Sequence, residues 1–473
     1  MNVMAGRVRI IKRGAKPGGA NRKVSPARRA ASEILRRVED EGAFAAPLLA
    51  NLPDTLSAED RALCYELTLG VLRRQLWLDR ALEHFSGRQA GKLDAPVRRA
   101  LRLGLFQLRF LTRVPAHAAV NESVNAAHAS GFRSAAPFIN AVLRRATREP
   151  DFDPAALVED PLEKIAVETS HPPWLIRRWA EAFGTENAAA FARANNDSAP
   201  ASFRVNALDA DAETLLEGLR DSGVVVTPSL VAPGGWRVEG GGGASAAVRA
   251  LAGEGRIYMQ DEASQLVAHV LGARPGERVL DACAAPGSKT THIAALADGG
   301  EGAHVVAGEL HPHRLRLLAE TCRRLGARGV SVVGLNAEAA LPFADGAFDR
   351  VLVDAPCTGT GTLRHNPEIR WRLTRESFRE LASVQSRILS EAARVVRPGG
   401  RLVYSTCSVE REENEEVVAA FLSSNPDFKQ IEAAPAHAAL LLPDGAARTW
   451  PHSDDVDGFY VAAMQKQFSV FSF

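Results

Sequence analysis

The chain has 473 residues, of which 46% are hydrophobic and 24% are charged, a composition typical of globular proteins with more than one domain. This composition excludes fibrous, collagen-like and fully disordered proteins, and because no apolar run is long enough to span a bilayer, neither a membrane protein nor a secretory signal is expected. The five cysteines form no C-x-x-C pair, which excludes a disulfide framework and a zinc signature and favours a reduced, cytoplasmic setting.

The net charge of +1 hides an uneven distribution of charged side chains. Residues 1–150 carry 26 basic and 13 acidic side chains, whereas residues 151–473 carry 31 basic and 43 acidic ones. Such asymmetry favours a polyanion-binding N-terminal region that is joined to a region with a different task. A basic tail beside an ordinary Arg-rich helical domain explains the same charges equally well, so both interpretations stay open at this point.

The N-terminal third is predicted to be a tail followed by an all-α domain. Residues 1–25 are rich in Gly, Lys and Arg and lack hydrophobic periodicity, which predicts a disordered basic tail. Ser25 and Pro26 suit the N-cap and the first position of a helix. Apolar residues then recur at helical spacing through residues 26–150, which predicts a helical domain with an Arg-rich surface.

Residues 151–255 are predicted to form a connector and a small α+β domain. The connector is the Pro-rich stretch Asp151–Pro173, and residues 174–195 then follow a helical pattern. The α+β domain combines strand-like runs, a helix and Gly-rich turns, at residues 201–207, 211–221, 224–227, 233–235 and 240–243.

Residues 256–473 alternate short apolar runs with helical patterns, which predicts a parallel, doubly wound sheet with helices on both faces. The predicted strands are RVLDA (278–282), HVVAGE (304–309), VSVVG (330–334), RVLVDA (350–355) and RLVYST (401–406). Ligands of such sheets bind outside the carboxyl ends of the strands, so the residues that follow each strand are the candidates for a site.

A loop of small residues, Asp281 to Thr290, follows the first predicted strand of this sheet. It matches neither the G-x-G-x-x-G nor the Walker pattern, but its small residues allow the backbone to approach a ligand closely. Glu309 after the second strand is placed to accept hydrogen bonds from ribose hydroxyls, and Asn336 follows the third strand. The set predicts a nucleoside-containing cofactor; a tight strand–helix turn with a solvated carboxylate is the structural alternative.

Two cysteines follow the fourth and fifth predicted strands, which are expected to be neighbours. Cys357 lies three residues after Asp354, and Cys407 lies in the string YSTCS. A thiolate that adds to C6 of cytosine makes C5 nucleophilic, after which the C5 proton leaves and the thiolate is expelled. Asp354, protonated or sharing a proton near N3, suits the stabilisation of the developing charge. These residues together predict nucleophilic catalysis at a cytosine.

Residues of roughly 195–465 resemble the NOP2/Sun-type family of RNA cytosine-C5 methyltransferases. The matching strings are FRVNAL (203–208), MQDEASQL (259–266), DACAAPGSKT (281–290), DAPCTGTGTLRHNPEIRW (354–371), PGGRLVYSTCSVEREENE (398–415) and DGFYVA (457–462). Residues 26–149 are similar to the NusB-like helical domain of the bacterial 16S rRNA member, through their helical pattern and the string FINAVLRR (138–145). The resemblance implies a Rossmann-like class I methyltransferase domain, S-adenosylmethionine as cofactor, and 16S rRNA or a small-subunit assembly particle as partner.

The resemblance also implies the roles of individual residues. Cys407 attacks C6, and Cys357 helps to release the methylated product, beside Asp354. The residues implied to hold S-adenosylmethionine are Cys283, Ala284, Ala285, Pro286, Gly287, Ser288, Lys289, Glu309, Asn336 and Asp354. Three positions depart from the common family pattern: Ser288 replaces Gly, Glu309 replaces Asp, and Asn336 replaces Asp with the loss of a charge.

RNA contacts are expected from the basic N-terminal region and from the small α+β domain, to which Arg204 and Asn206 belong. In the acidic half of the chain, a basic RNA-facing patch is predicted at Arg364, His365, Arg370 and Arg372. The mechanism requires no metal ion, and a monomer is expected. The alternatives are a tRNA cytosine-C5 methyltransferase and a catalytically inactive, RNA-binding ribosome assembly factor; the presence of both cysteines and Asp354 argues against the second.

Overall fold

The computed structural model describes residues 24–53, 55–208, 211–240, 245–298 and 304–468. Two compact units divide the chain between Asp153 and Pro154, and the short segment Leu72–Trp77 groups with the second unit. The tail predicted over residues 1–25 lies outside the described residues except for its last two. Most of the Gly-rich loop predicted at 240–243 also lies outside them.

The N-terminal unit is helical, as predicted. Its helices are α1 (Pro26–Asp40), α2 (Ala45–Ala50), α3 (Ala58–Arg73), α4 (Gln75–Ser86), α5 (Ala95–Phe110), α6 (Ala116–Ala129) and α7 (Ala136–Arg148). Pro26 starts α1, and the apolar residues of this helix recur on one buried face. A Cβ at Gly104 of α5 would lie 2.5 Å from Leu143 of α7, so glycine allows these two helices to pack closely.

Not all arginines of this unit lie on its surface. Arg99 and Arg102 of α5 are buried. Arg99 forms ion pairs with Glu39 at 2.8 Å and Asp40 at 2.9 Å, and Arg102 pairs with Asp79 at 2.6 Å. Buried charges of this kind need such partners, so these arginines stabilise the packing of α5 and are not available to a polyanion.

The second unit begins with three helices, α8 (Pro161–Thr169), α9 (Pro173–Phe183) and α10 (Thr185–Ala194). The stretch predicted as a connector therefore contains α8. Pro161 starts this helix rather than breaking it, because it stands in the first turn, where no backbone donor is needed. Asp160 caps the helix by accepting a hydrogen bond from Glu163 N at 2.7 Å.

The small α+β domain is present as predicted. It consists of β1 (Ala201–Val205), α11 (Ala212–Asp221), β2 (Val226–Pro228), β3 (Gly235–Val238), α12 (Ala246–Gly253) and β4 (Ile257–Met259). Its four strands are antiparallel in the order β2-β3-β1-β4. Phe203 of β1 and Leu219 of α11 are buried in its core.

The C-terminal domain is an α/β sandwich around a larger sheet. Its elements are α13 (Glu262–Leu271), β5 (Arg278–Asp281), α14 (Ser288–Leu296), β6 (His304–Glu309), α15 (Pro312–Arg324), β7 (Val330–Gly334), β8 (Phe348–Asp354), α16 (Ile369–Arg372), α17 (Arg375–Val395), β9 (Val396–Thr406), α18 (Glu415–Ser424), β10 (Phe428–Ile431), β11 (Ala447–Arg448) and β12 (Tyr460–Lys466). All five predicted strands are present. They are buried between two apolar clusters, which explains their continuous apolar runs.

The sheet is mixed, whereas the sequence predicted a wholly parallel one. The strands follow the order β10-β12-β9-β8-β5-β6-β7, and the five from β9 to β7 are parallel. β12 runs antiparallel beside β9, and β10 and β11 pair antiparallel with β12. The strand order changes direction at β5, so the carboxyl ends of β5, β6, β8 and β9 meet at one edge of the sheet.

Candidate active site

The loop after β5 forms one wall of this edge. Asp281, the last residue of β5, is buried, and Thr290 donates a hydrogen bond of 2.6 Å to its Oδ2. Its Oδ1 has no hydrogen-bond partner. Burial raises the pKa of Asp281 to about 7. Burial of a carboxylate oxygen without a hydrogen-bond partner costs free energy of folding. A bound ligand that donates a hydrogen bond to Oδ1 would offset this cost.

The backbone of the loop is held on both sides. Ala284 N donates to Gly308 O at 2.8 Å, and Ala285 O accepts from Arg314 at 2.9 Å. Gly287 has a φ of +102°, and a Cβ there would meet Leu318 at 3.0 Å, so both its conformation and its packing require glycine. Of the other predicted loop residues, Lys289 is buried, Cys283 and Ser288 are half-buried, and Pro286 is exposed. Because α14 begins at Ser288, the loop leads directly into a helix N-terminus.

The structure places Glu309 and Asn336 at the next two strand ends. Glu309, the last residue of β6, is only 5% exposed, and its Oε1 accepts from His311 N at 2.8 Å. Asn336 lies two residues after β7, is exposed, and accepts a hydrogen bond from Glu338 N at 3.0 Å. Glu309 is therefore held in place by its surroundings, and Asn336 forms only a local turn contact.

Lys289 and Asp354 form an ion pair at the centre of the site. Lys289 Nζ lies 2.7 Å from Asp354 Oδ2, and Ser405 donates a hydrogen bond of 2.8 Å to Asp354 Oδ1. Burial alone would lower the pKa of Lys289, but the Asp354 carboxylate outweighs it and raises this pKa. Both oxygens of Asp354 accept a hydrogen bond, one from Lys289 and one from Ser405.

The two predicted catalytic cysteines are in direct contact. Cys357 Sγ lies 3.3 Å from Cys407 Sγ, because the neighbouring strands β8 and β9 carry them just beyond their carboxyl ends. The hydrogen bond with Cys407, together with burial, raises the pKa of the Cys357 thiol well above its ordinary value. Loss of the Cys357 proton is therefore disfavoured at this position, and either sulfur could donate the hydrogen bond between the two.

A buried carboxylate that the sequence reasoning did not single out holds the two cysteine loops together. Glu413 Oε1 accepts from Thr358 N at 2.9 Å and from Gln385 at 3.0 Å. Its Oε2 accepts from the hydroxyls of Thr358 and Ser408, each at 2.5 Å. Thr358 follows Cys357 and Ser408 follows Cys407, so Glu413 fixes both. The string EREENE contains Glu413, but nothing in its local sequence distinguishes the glutamate that contacts both cysteine loops from the others.

The predicted basic RNA-facing patch is wrong for two of its four residues. Arg364 is 2% exposed and pairs with Asp455 at 2.8 Å, and Arg370 is fully buried, where it donates to Ser170 O at 3.2 Å. Both guanidinium groups bind groups of the protein itself, and an arginine used in this way cannot face a polyanion. His365 is half-buried and Arg372 is exposed.

Arg204 and Asn206 lie in and directly after β1, and both are buried. Arg204 donates to the Thr291 hydroxyl at 2.8 Å, and Asn206 donates to Leu325 O at 3.0 Å. They therefore connect the small α+β domain to the C-terminal domain and do not form an RNA-binding surface. Among the helices in the described ranges, none combines the length and the apolar character that a bilayer crossing demands.

Family models match three consecutive parts of the chain. Residues 25–148 match the NusB family, residues 171–243 match the ferredoxin-like domain of RsmF/B-like methyltransferases, and residues 268–465 match the model described as 16S rRNA methyltransferase RsmB/F. The order of these matches agrees with the order of the helical, α+β and α/β parts of the structure.

Relatives and solved structures extend this similarity over nearly the whole chain. A probable ribosomal RNA small subunit methyltransferase B of Bacillus subtilis (strain 168) is 36% identical over 455 residues, covering 92% of this chain and 98% of that protein. The ribosomal RNA small subunit methyltransferase B of Xylella fastidiosa (strain 9a5c) is 35% identical over 441 residues, covering 92% and 99%. The crystal structure of PH0851 is 28% identical with a TM-score of 0.78 and covers 93% of this chain and 99% of its own. The chain therefore belongs to the RsmB/F family of 16S rRNA methyltransferases, and the resemblance to NOP2/Sun-type enzymes with an N-terminal NusB-like domain is confirmed.

Proposed function

We propose that the protein methylates C5 of a cytosine in 16S rRNA through a transient covalent bond between Cys407 Sγ and C6 of the base. The observation that carries this proposal is the pair of thiols 3.3 Å apart at the ends of two adjacent strands. The reaction needs one sulfur to attack and a second group to assist the release, and this site provides both. The Lys289–Asp354 ion pair adds a proton donor to the same edge of the sheet.

S-adenosylmethionine is the methyl donor, and the residues after β5 and β6 fit it. Asp281 Oδ1 is a buried acceptor without a partner, and Glu309 is a fixed, largely buried carboxylate. Carboxylates suit the ammonium group and the ribose hydroxyls of this cofactor. We assign its binding to the loop from Cys283 to Lys289, with Glu309 and Asn336 beside it. When bound, the cofactor supplies an electrophilic methyl group.

The protein residues would act in a fixed order. The Cys407 thiolate forms a bond to C6, and the electron pair displaced towards C5 makes that carbon the nucleophile. Lys289 shares its proton with Asp354, and this pair stabilises the negative charge that develops at N3. After the methyl group has been added, a base accepts the C5 proton, the electron pair of the C5–H bond forms the C5–C6 double bond, and the Cys407 Sγ–C6 bond breaks with its electron pair remaining on Cys407 as the thiolate. Cys357 assists this last stage.

The substrate proposal combines the family with the surface of the helical unit. Methyltransferases that act on single RNA bases take them from loops or flip them out of a stem. Exposed arginines of the N-terminal unit suit the phosphates around such a base. They are Arg113, Arg133, Arg144, Arg145 and Arg148.

Methyl transfer from labelled S-adenosylmethionine to rRNA tests the roles of the two cysteines. Cys407→Ala is expected to abolish transfer, whereas Cys357→Ala is expected to accumulate a covalent protein–RNA adduct that survives a denaturing gel. Cys64→Ala, which removes a buried thiol in the N-terminal unit, is the matched control and should keep wild-type activity. Activity retained without Cys407 would contradict the nucleophile. Normal turnover without an adduct in the Cys357 variant would contradict the release role.

Bisulfite sequencing of total RNA from cells with and without the protein identifies the substrate. The expected result is one cytosine of 16S rRNA whose protection depends on the protein. A dependent site in tRNA would establish the tRNA alternative instead. No dependent site in any RNA, with rRNA binding retained, would establish an inactive assembly factor.

A further inference from the structure

Three metal-ligating side chains that the methyl-transfer chemistry does not use converge beside the active site. They are Asp261, His365 and Asp457, and one ligand atom of each lies within 4.8 Å of those of the other two. Asp457 Oδ1 lies 3.5 Å from His365 Nε2. Asp457 N donates a hydrogen bond of 3.1 Å to Asp261 Oδ2, which holds the two acidic residues side by side. From this geometry we propose that the cluster binds one divalent transition-metal ion.

Asp457 provides the independent observation that points to a ligand. Its side chain is only 5% exposed, and its Oδ1 is buried without a hydrogen-bond partner. His365 Nε2 at 3.5 Å is too far for a strong hydrogen bond, so this buried acceptor is only weakly compensated for its lost hydration unless a bound group satisfies it. Since this same oxygen faces His365, a cation placed between them would satisfy it.

Arg364 is a cation beside the cluster, but its Nη2 donates to the Asp455 carboxylate at 2.8 Å and to Ser198 O at 3.2 Å rather than to a member of the cluster. The ligand oxygens of Asp261 and Asp457 lie within 4.8 Å of each other and of the half-buried His365 imidazole. Two ionised carboxylates repel each other at this distance, and a divalent cation balances both.

The donor set decides the class of ion. Two carboxylate oxygens and one imidazole nitrogen leave coordination positions for water. The imidazole suits Zn²⁺ and Fe²⁺ and the carboxylates suit Mn²⁺, whereas Mg²⁺ and Ca²⁺ prefer oxygen alone. The three ligands come from three separate segments, namely the N-cap of α13, the loop after Cys357, and the residues before β12. The ion would hold these segments together next to the cysteines without taking part in the transfer of the methyl group.

Mn²⁺ titration of the metal-free, full-length protein, followed by the electron paramagnetic resonance signal of free Mn²⁺, tests the site in the absence of S-adenosylmethionine and RNA. We expect one saturable site per chain. Asp457→Asn and His365→Ala should each weaken binding by ~10-fold or more, because each removes a ligand. Asp345→Asn removes a carboxylate whose side chain is 80% exposed and is the matched control with unchanged binding.

Thermal melting followed by circular dichroism shows whether the metal-free variants are folded. If Asp457→Asn does not fold, His365→Ala still tests the site, because His365 is partly exposed and its replacement is better tolerated. A titration without a saturable site would overturn the proposal. Binding that is equally strong in wild type and in a folded His365→Ala variant would also overturn it. The titration measures metal binding and not methyl transfer. Its result therefore does not depend on whether the proposed methyltransferase activity is correct.

Discussion

At the scale of single residues, the two active-site thiols are chemically unequal although they are neighbours. The pKa of Cys357 is raised by its hydrogen bond with Cys407 and by burial, so Cys357 keeps its proton. The Lys289 ammonium group interacts favourably with a negative charge on Cys407. A nearby cation favours the thiolate form of a cysteine, and the thiolate is the nucleophile. These contacts support the proposal that Cys407 attacks and Cys357 assists, and the methyl-transfer assay of the two alanine variants tests it.

Glu413 is expected to be a stability determinant of the site. Glu413→Ala removes the acceptor of four hydrogen bonds from Thr358, Ser408 and Gln385 in a buried site, and no other contact of Thr358 N replaces the one it loses. We expect the free energy of unfolding in urea to fall by about 2–4 kcal/mol. The control Glu416→Ala changes an exposed glutamate three residues later and should stay within about 0.5 kcal/mol of wild type. A loss no larger than that of the control would contradict the role of Glu413.

At the scale of elements, the loop after β8 and the segment before β12 are packed backbone against backbone. Gly361 N donates to Cys407 O at 2.9 Å, and Gly458 N donates to Gly361 O at 2.9 Å. A Cβ at Gly361 would lie 1.9 Å from Gly458 O, so this contact exists only because both residues are glycines. The position of the Cys407 backbone therefore depends on a segment that lies some fifty residues further along the sequence.

Gly361→Ala is expected to displace these segments, since the clashing atom belongs to the backbone and cannot rotate away. Displacement of a catalytic group by about 1 Å lowers kcat by ~100-fold, and we expect a loss of this size or a protein that does not fold. Gly218→Ala is the matched control, because no atom lies within 4 Å of its Cβ position on the exposed face of α11. This control should raise stability by about 0.5–1 kcal/mol. Wild-type kcat and stability for Gly361→Ala would show that the backbone contact is unimportant.

At the scale of the whole molecule, charge separates the chain into a basic and an acidic part. The basic part includes seven Lys and Arg side chains in residues 1–23 and no acidic ones. The logarithm of the RNA association constant falls linearly with the logarithm of the salt concentration. If these side chains bind phosphates, each contact that truncation removes makes this negative slope shallower by ~0.7–0.9. A chain without residues 1–23 is expected to bind rRNA with a less negative slope, as measured by filter binding over a range of salt concentrations. An unchanged slope would support the interpretation as a solvated tail.

The sequence predicted the α/β domain well because its strands are buried on both faces and end in residues with distinctive chemistry. Asp354, Cys357 and Cys407 were predicted as neighbours on this basis, and the structure brings them together. It did not predict the antiparallel strand β12, because Tyr460–Lys466 differs in no local property from a parallel strand. The direction of a strand depends on which strand it pairs with, and pairing is a property of the whole fold.

The sequence also does not predict which charged side chains are buried. Arg364 and Arg370 are basic residues in a polar string, and nothing in their spacing indicates that their guanidinium groups point inwards to Asp455 and to the Ser170 carbonyl. In the same way, Glu413 owes its place between the cysteine loops largely to Gln385 and Thr358, which are 28 and 55 residues distant in the sequence. Local sequence identifies which groups are reactive, and long-range contacts decide which of them are accessible.

The pairing of β12 with β9 also has a consequence for the biosynthesis of the protein. Tyr460–Lys466 is translated after every other strand of the sheet, and β9, which leads to Cys407, lacks one neighbour until that moment. At ~5–20 residues per second, roughly 15–60 s pass between the synthesis of Asp153 and that of Lys466. The helical unit thus has time to fold on the ribosome, whereas the sheet that carries the catalytic centre is completed only after Lys466 has been synthesised.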